Sequence, residues 1–302
     1  MVISQEDWTK KIVDIYGDRG KNWLHSLPET IAYCANKWDF SILPPFENLS
    51  YNYVAAGTKI DSTPIVLKAG VPSMEFTQEI QALQIFDGNG IVRLLDCDTE
   101  MGVMLLERLV PGSHLSSIPD DEVLTLVAAE VMQTLWKPSP VNHNFRSVQS
   151  WADGLNKIQI LFKGGYGPFP KKIVVLAIEL FIEIQSSTKD TLLIHGDFHP
   201  GNILSAHRAP WLAIDPKGVI GNPMFDVATF ACSSSKPHHN SNRNQFFIRC
   251  IDQLVELLQL DKKIILKWCL AYSVLSGWWN FEDHGSGWEL EFDRARFIKT
   301  LL

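Results

Sequence analysis

The sequence predicts an α+β chain in two parts: a small antiparallel β-sheet lobe within residues 1–107 and a mainly helical lobe over residues 108–302. Two observations predict it. The first third carries short runs of strand character, set off by turn signals and interrupted by one helical stretch. From about residue 112 the apolar residues return at helical spacing instead, broken once near 192–214.

Taken in order, an N-terminal helical extension leads into "YNYVAAG" and "TPIVLKAG", which read as strands. A helical stretch follows around "EFTQEIQALQIF", then a Gly/Asn turn at "DGNG", then two more strands, "IVRLLDCD" and "MGVMLLERL". In the second part "PDDEVLTLVAAEVMQTLW" begins with acidic residues, which favour the positive end of a helix dipole. "FRSVQSWADGLNKIQILF" and "KKIVVLAIELFIEIQ" continue the helical pattern. Near 192–214, "TLLIHGD", "NILSA" and "WLAID" are short apolar strands around turns, expected to form a local hairpin. The polar "SSSKPHHNSNRN", 233–244, reads as an exposed loop, and its His238 and His239 lack nearby partner ligands for a metal. No internal repeat or low-complexity block organises the chain.

Composition removes several function classes. The 302 residues are 46% apolar and 20% charged, ordinary for a globular protein with a sizeable core. A net charge of -7 with no run of Lys or Arg disfavours duplex nucleic acid or an anionic membrane as partner, and suits a cationic small molecule. Five scattered cysteines with no C-x-x-C pair argue against a disulfide framework or a structural zinc. The N-terminus lacks the positive start and apolar run of a signal peptide, so the expected location is the cytoplasm. The most apolar helical stretch, 173–184, carries Glu179 and Glu183 and falls short of the roughly 20 residues that span a bilayer, so it reads as a core helix. No feature sets an oligomeric state.

The chemistry lies in two places. In "PIVLKAG", Lys68 ends an apolar strand, and Glu79 stands on the following helix. A strand lysine held by a helix glutamate positions nucleotide phosphates in kinases, though a surface ion pair has the same sequence signature. In "LLIHGDFHPGNIL", Asp197 is followed five positions later by Asn202, and "WLAIDPKG" then supplies Asp215. Phosphoryl transfer needs an Asp to accept the acceptor hydroxyl's proton, an Asn five residues on and a second Asp on the next strand for the metal. Magnesium prefers oxygen ligands and keeps waters, so Asn202 and Asp215 suffice when ATP supplies the remaining ligands. A metal-hydrolase reading of His195, Asp197 and His199 lacks further ligands at a recognised spacing. The two histidines then shape the loop, with Pro200 and Gly201 making its turn.

"HGDFHPGNIL" followed by "IDPKGVIGNPMFDVATF" resembles the aminoglycoside phosphotransferase family, and "IDPKG" its streptomycin 6-kinase branch of aminoglycoside/hydroxyurea resistance kinases. The resemblance extends upstream through "NYVAAGT", "QEIQAL", "VRLLD" and "LLERLVPG", covering roughly residues 45–232. It implies a protein-kinase-like two-lobed fold that uses ATP and Mg2+. It also implies Asp197 as catalytic base, Asn202 and Asp215 as magnesium ligands, Lys68 and Glu79 at the phosphates, and backbone groups of about Glu107 to Leu109 at the adenine. Asp226 would be a buried acid bracing the catalytic loop, or, on its residues alone, a helix cap. Two departures stand out. The turn over the phosphates, "ENLSYNYVAAG", has no glycine before Gly57, which leaves Ser50 and Asn52 to cover them. Lys217 is extra in "IDPKG" and either reaches a phosphate or remains a solvated turn lysine.

For the acceptor, "SGWWNFEDHGSGWELEFD" combines aromatic faces with acids, Glu282 and Asp283 foremost, suited to a hydroxylated, guanidinium-bearing guest such as streptomycin. A kinase of an endogenous metabolite shares every motif. A nucleotide-binding protein without turnover is the third reading, and it has no need of the base Asp197.

Overall fold

The computed structural model describes residues 5–47, 49–187, 191–234 and 243–302. The chain divides after Gly112 into two compact units, a few residues beyond the expected 107.

In the first unit two helices, α1 (Gln5–Tyr16) and α2 (Asp18–Lys37), precede strands β1 (Phe40–Pro45), β2 (Tyr53–Lys59) and β3 (Pro64–Ala69). Helix α3 (Met74–Phe86) then leads to β4 (Leu94–Asp98) and β5 (Val103–Glu107). The five strands form one antiparallel sheet in the order β1-β2-β3-β5-β4. Strand periodicity decides what each face does. Ile65, Leu67 and Ala69 of β3 join Val103 and Leu105 of β5 in a core with Trp8, Ile12, Trp23 and Leu27 of the two leading helices. The alternate position, Lys68, therefore points to the other face, where it meets Glu79 of α3. Helix α3 begins where the Ser73 side chain accepts from the Phe76 N–H, a cap contributing about 1 kcal/mol.

The second unit is mainly helical, as the pattern predicts. Strand β6 (Pro111–His114) is followed by α4 (Asp121–Leu135), whose acidic start is capped by Asp120 through the N–H groups of Glu122 and Val123. After β7 (Lys137–Pro138) and β8 (Arg146–Ser147), the expected helix around 145–162 divides into α5 (Val148–Ala152) and α6 (Lys157–Leu161), joined by a tighter turn at Asp153–Asn156. In α7 (Lys171–Ser187) the buried residues Ile173, Val174, Ala177, Leu180, Phe181 and Ile184 form one stripe while Glu179 and Glu183 stay exposed, as a core helix requires. Next come β9 (Leu192–Ile194), β10 (Ile203–Ala206), β11 (Trp211–Ala213) and β12 (Val219–Gly221). Helices α8 (Met224–Ser234), α9 (Arg243–Leu258), α10 (Lys262–His284) and α11 (Trp288–Lys299) complete the unit.

One expectation about strands needs correction. The apolar runs at 192–214 do not make a single hairpin: β10 pairs with β11, but β9 leaves that pair and lies between β7 and β12 in another sheet. Short apolar strands carry no sequence mark of their partner, and here the loop 195–202 separates β9 from β10. Ser233 and Ser234 close α8 rather than opening a loop, and His238 and His239 lie outside the described residues. No helix among the described residues is long and apolar enough to cross a membrane.

Candidate active site

In the first unit the lysine and glutamate separated by eleven residues form a buried pair, Nζ to Oε1 2.6 Å, with side-chain exposures of 4% and 11%. Lys68 sits opposite Val54 of β2 and Met104 of β5, so two neighbouring strands fix its backbone. Asn52 lies against the end of β3: a Cβ on Gly70 would stand 2.2 Å from its Oδ1, and this close approach is why residue 70 carries no side chain. Ser50 is exposed in the same turn. At the far end of β5, Glu107 uses both its N–H and its carboxylate on Arg93, donating to the Arg93 carbonyl (3.0 Å) and accepting from the Arg93 N–H (2.8 Å). Leu109, two residues on, is buried.

In the second unit the loop from His195 to Asn202 is held at every turn. Asp226, fully buried in the first turn of α8, accepts from the N–H of His195 (2.9 Å), the N–H of Gly196 (2.8 Å) and the indole N–H of Trp136 (3.1 Å). It is a brace for the loop rather than a cap of its own helix. Burial pushes its carboxyl up to about 6, against the pull of those donors. His195 is the second fixed point: its Nδ1 accepts from the Asp197 N–H (3.2 Å), so Nε2 carries the proton and donates to the Ile214 carbonyl (2.8 Å). Burial lowers this imidazole to about 4, which keeps it neutral and in that tautomer. Gly196 adopts φ +83°, and a Cβ there would meet Trp151 at 3.0 Å and Val219 at 3.1 Å. The loop thus needs glycine for conformation and for space.

The side chains expected from the sequence to react hang from this frame. Asp197 is part-exposed, and the Asn202 amide nitrogen donates to its carbonyl (3.0 Å) and approaches its carboxylate (3.4 Å). With the nitrogen so occupied, the amide oxygen of Asn202 is its free lone-pair side. His199 accepts the Gly201 N–H on Nδ1 (3.0 Å) and lies 3.9 Å from the Asp197 carboxylate through Nε2. Asp215 follows β11, exposed and in the left-handed region at φ +58°, a conformation that costs a non-glycine residue energy. Lys217 is half-buried beside the loop, its N–H on the His195 carbonyl (2.8 Å). The Asn202 amide oxygen and the Asp215 carboxylate are hard oxygen donors, too few for a protein-only cage but suited to magnesium held partly by phosphates. Among the described residues no group of three or more His, Cys, Asp and Glu gathers as a hydrolase metal centre would need.

Asp197 opens into a cavity of about 330 Å³. Its wall is formed by Tyr272, Ser276 and Asn280 along one face of α10, Glu291 and Arg294 of α11, and Ser233 and Ser234 at the end of α8. Glu282 and Asp283 are not among the lining residues; Glu282 faces Lys157 instead (3.2 Å). The polar residues that do line the cavity were not singled out from the sequence. Tyr272, Ser276 and Asn280 recur every four residues along α10, a spacing that puts them on one face of the helix.

Residues 50–284 match the aminoglycoside/hydroxyurea antibiotic resistance kinase family. A streptomycin 6-kinase of Streptomyces griseus is 29% identical over 88% of this chain and 87% of its own length. A hydroxyurea phosphotransferase of Kitasatospora aureofaciens is also 29% identical, over 88% of this chain and 77% of its own. Among solved structures, a choline kinase of Streptococcus pneumoniae superposes with a TM-score of 0.65 over 91% of this chain and 99% of its own, at 16% identity. The fold is protein-kinase-like, and the chain belongs to the aminoglycoside/hydroxyurea antibiotic resistance kinases, phosphotransferases that take an alcohol group as acceptor.

Proposed function

We propose that this kinase transfers the γ-phosphoryl group of ATP, with Mg2+, to a hydroxyl of an aminoglycoside, streptomycin first among them. The observation that carries the reading is Asp197: its backbone carbonyl is held by the Asn202 amide (3.0 Å), and its carboxylate, 3.4 Å from the same nitrogen, opens into a polar cavity of about 330 Å³, large enough for a sugar or cyclitol ring. Asp197 accepts the proton of the acceptor hydroxyl as that oxygen forms its bond to phosphorus. Asn202 and Asp215 hold the metal, which when bound offsets the charge on the phosphate oxygens. Lys68, kept in place by Glu79, binds phosphate oxygens; Ser50 and Asn52 cover them, and Lys217 adds a second cation. Backbone groups between Glu107 and Leu109 take the adenine, where the Glu107 N–H is already committed to Arg93. Asp226 and His195 act through the loop and touch no substrate. The first unit would thus bind nucleotide, and the second would carry catalysis and the acceptor.

Mass spectrometry of streptomycin incubated with the protein, ATP and magnesium tests this. The expected product is heavier by one phosphoryl group and is lost with Asp197→Asn, whose kcat should fall roughly 10²-fold to 10⁴-fold while nucleotide affinity stays. Unchanged turnover in that variant would remove Asp197 as the base. One relative favours a second acceptor: the hydroxyurea phosphotransferase matches at the same 29% identity. Hydroxyurea and amino alcohols therefore belong in the same panel. A product from one of these and none from streptomycin would keep the mechanism and replace the acceptor.

A further inference from the structure

The cavity beside Asp197 contains a buried cation that the kinase reaction itself does not call for. Arg294 lines the wall with its side chain 14% exposed, and its Nη1 pairs with Oε2 of Glu291, itself 9% exposed. A guanidinium stays charged and has five N–H donors, so the pair with Glu291 leaves others available. Asp197 and His199 border the cavity on the loop side, and the remaining wall is rich in neutral hydrogen-bonding groups: Ser233, Tyr272, Ser276 and Asn280 line it, and so does Ser234, whose buried hydroxyl has no partner among the described residues. A buried polar group in a cavity wall is normally completed by ligand or water.

We propose that Arg294 determines which acceptors this kinase takes: by closing onto Glu291 it turns the cavity into a site for an uncharged, hydroxylated ring face and keeps the acceptor's positive groups away from the reacting hydroxyl. This deepens the phosphotransferase reading and rests on it for the place of the acceptor. Two carboxylates, Asp197 and Glu291, border the cavity, and an acceptor ammonium would be drawn to both. With Glu291 committed to Arg294, a cation entering there meets a like charge in a poorly solvated wall, and like charges so placed are strongly disfavoured. Hydroxyls meet only donors and acceptors. An acceptor bearing both kinds of group is thus oriented with its hydroxyls inward.

The test compares two probes on one ring, myo-inositol and a diaminocyclitol, by NMR titration of the full chain. Arg294→Met releases Glu291 and should shift the ratio of the two dissociation constants at least about tenfold toward the diaminocyclitol. Glu291→Gln leaves Arg294 uncompensated and should shift it as far the other way, while Arg294→Lys keeps it within roughly threefold. Should one variant fail to fold, the other carries the same comparison. A pair that only holds the fold would weaken both probes alike, so an unmoved ratio in a folded variant overturns the proposal, as does a wild type that binds neither probe. Turnover of streptomycin by the wild type is read separately, so a silent kinase assay rejects the proposed acceptor without touching the charge ratio.

Discussion

Asp226→Asn is the most informative single change, because it alters the loop's support without touching the reacting groups. In the wild type the buried carboxylate takes three N–H donors, from His195, Gly196 and Trp136. An asparagine has one oxygen at that place, so its NH2 must face at least one of these donors, costing about 1–3 kcal/mol for the group left unsatisfied. The pH dependence is sharper than this offset. The Asp226 carboxyl is raised from 3.8 to about 6 in the fold, so between those values the folded chain holds the extra proton and stability falls as pH rises. His195 is lowered from 6.5 to about 4, so over nearly the same range the unfolded chain holds the extra proton and stability rises with pH. Each shift is worth about 3 kcal/mol, and in the wild type the two oppose one another.

The amide of the variant cannot titrate, which leaves the His195 contribution unopposed there. The stability difference, wild type minus variant, should therefore be greatest near pH 4 and shrink by about 3 kcal/mol by pH 6.5. Urea unfolding followed by tryptophan fluorescence at half-unit pH steps measures it, and taking the difference cancels every group common to both proteins. Parallel stability curves for the two proteins would refute the linkage and with it the picture of a buried, titrating brace. The same variant should lose turnover, since the N–H groups it misaligns are those of His195 and Gly196, next to Asp197.

Lys68→Met removes the cation paired with the buried Glu79 carboxylate and should destabilise the first unit by about 3–5 kcal/mol, whereas Lys68→Met with Glu79→Leu should recover most of that stability and none of the activity; equal thermal stability of the single variant and wild type would show that the pair does not contribute to stability. Gly196→Ala forces a side chain against Trp151 and Val219 at a positive φ, an expected loss of about 1–3 kcal/mol by chemical unfolding, and an unchanged midpoint would mean the loop adapts. Asp215→Gly relieves a left-handed backbone, so its stability should stay within about 1 kcal/mol of wild type while magnesium-dependent nucleotide affinity drops; undiminished ATP affinity in magnesium, measured calorimetrically, would remove Asp215 from the metal site.

What the sequence could announce and what it could not divide along a physical line. Asp197, Asn202 and Asp215 could be proposed from the sequence because phosphoryl transfer demands oxygen-bearing side chains at short, fixed intervals along one loop and the next strand, and such local spacing survives in a one-dimensional string. Lys68 and Glu79 were legible for the same reason, since strand alternation and a short connection bring them together. The cavity proposed for the acceptor depends on α8, α10 and α11 meeting in space, and nothing in a local window distinguishes Glu291, which faces Arg294 and the cavity, from Glu282, which faces Lys157. The three-donor socket of Asp226 draws on residues 90, 31 and 30 positions away, beyond the reach of any local pattern. The chemistry proposed for the loop is thus written locally, in a segment that must hold one geometry. On the proposed reading, acceptor choice rests instead on long-range contacts between helices such as the buried Arg294–Glu291 pair, and a cavity wall built that way can change while the local loop keeps its geometry.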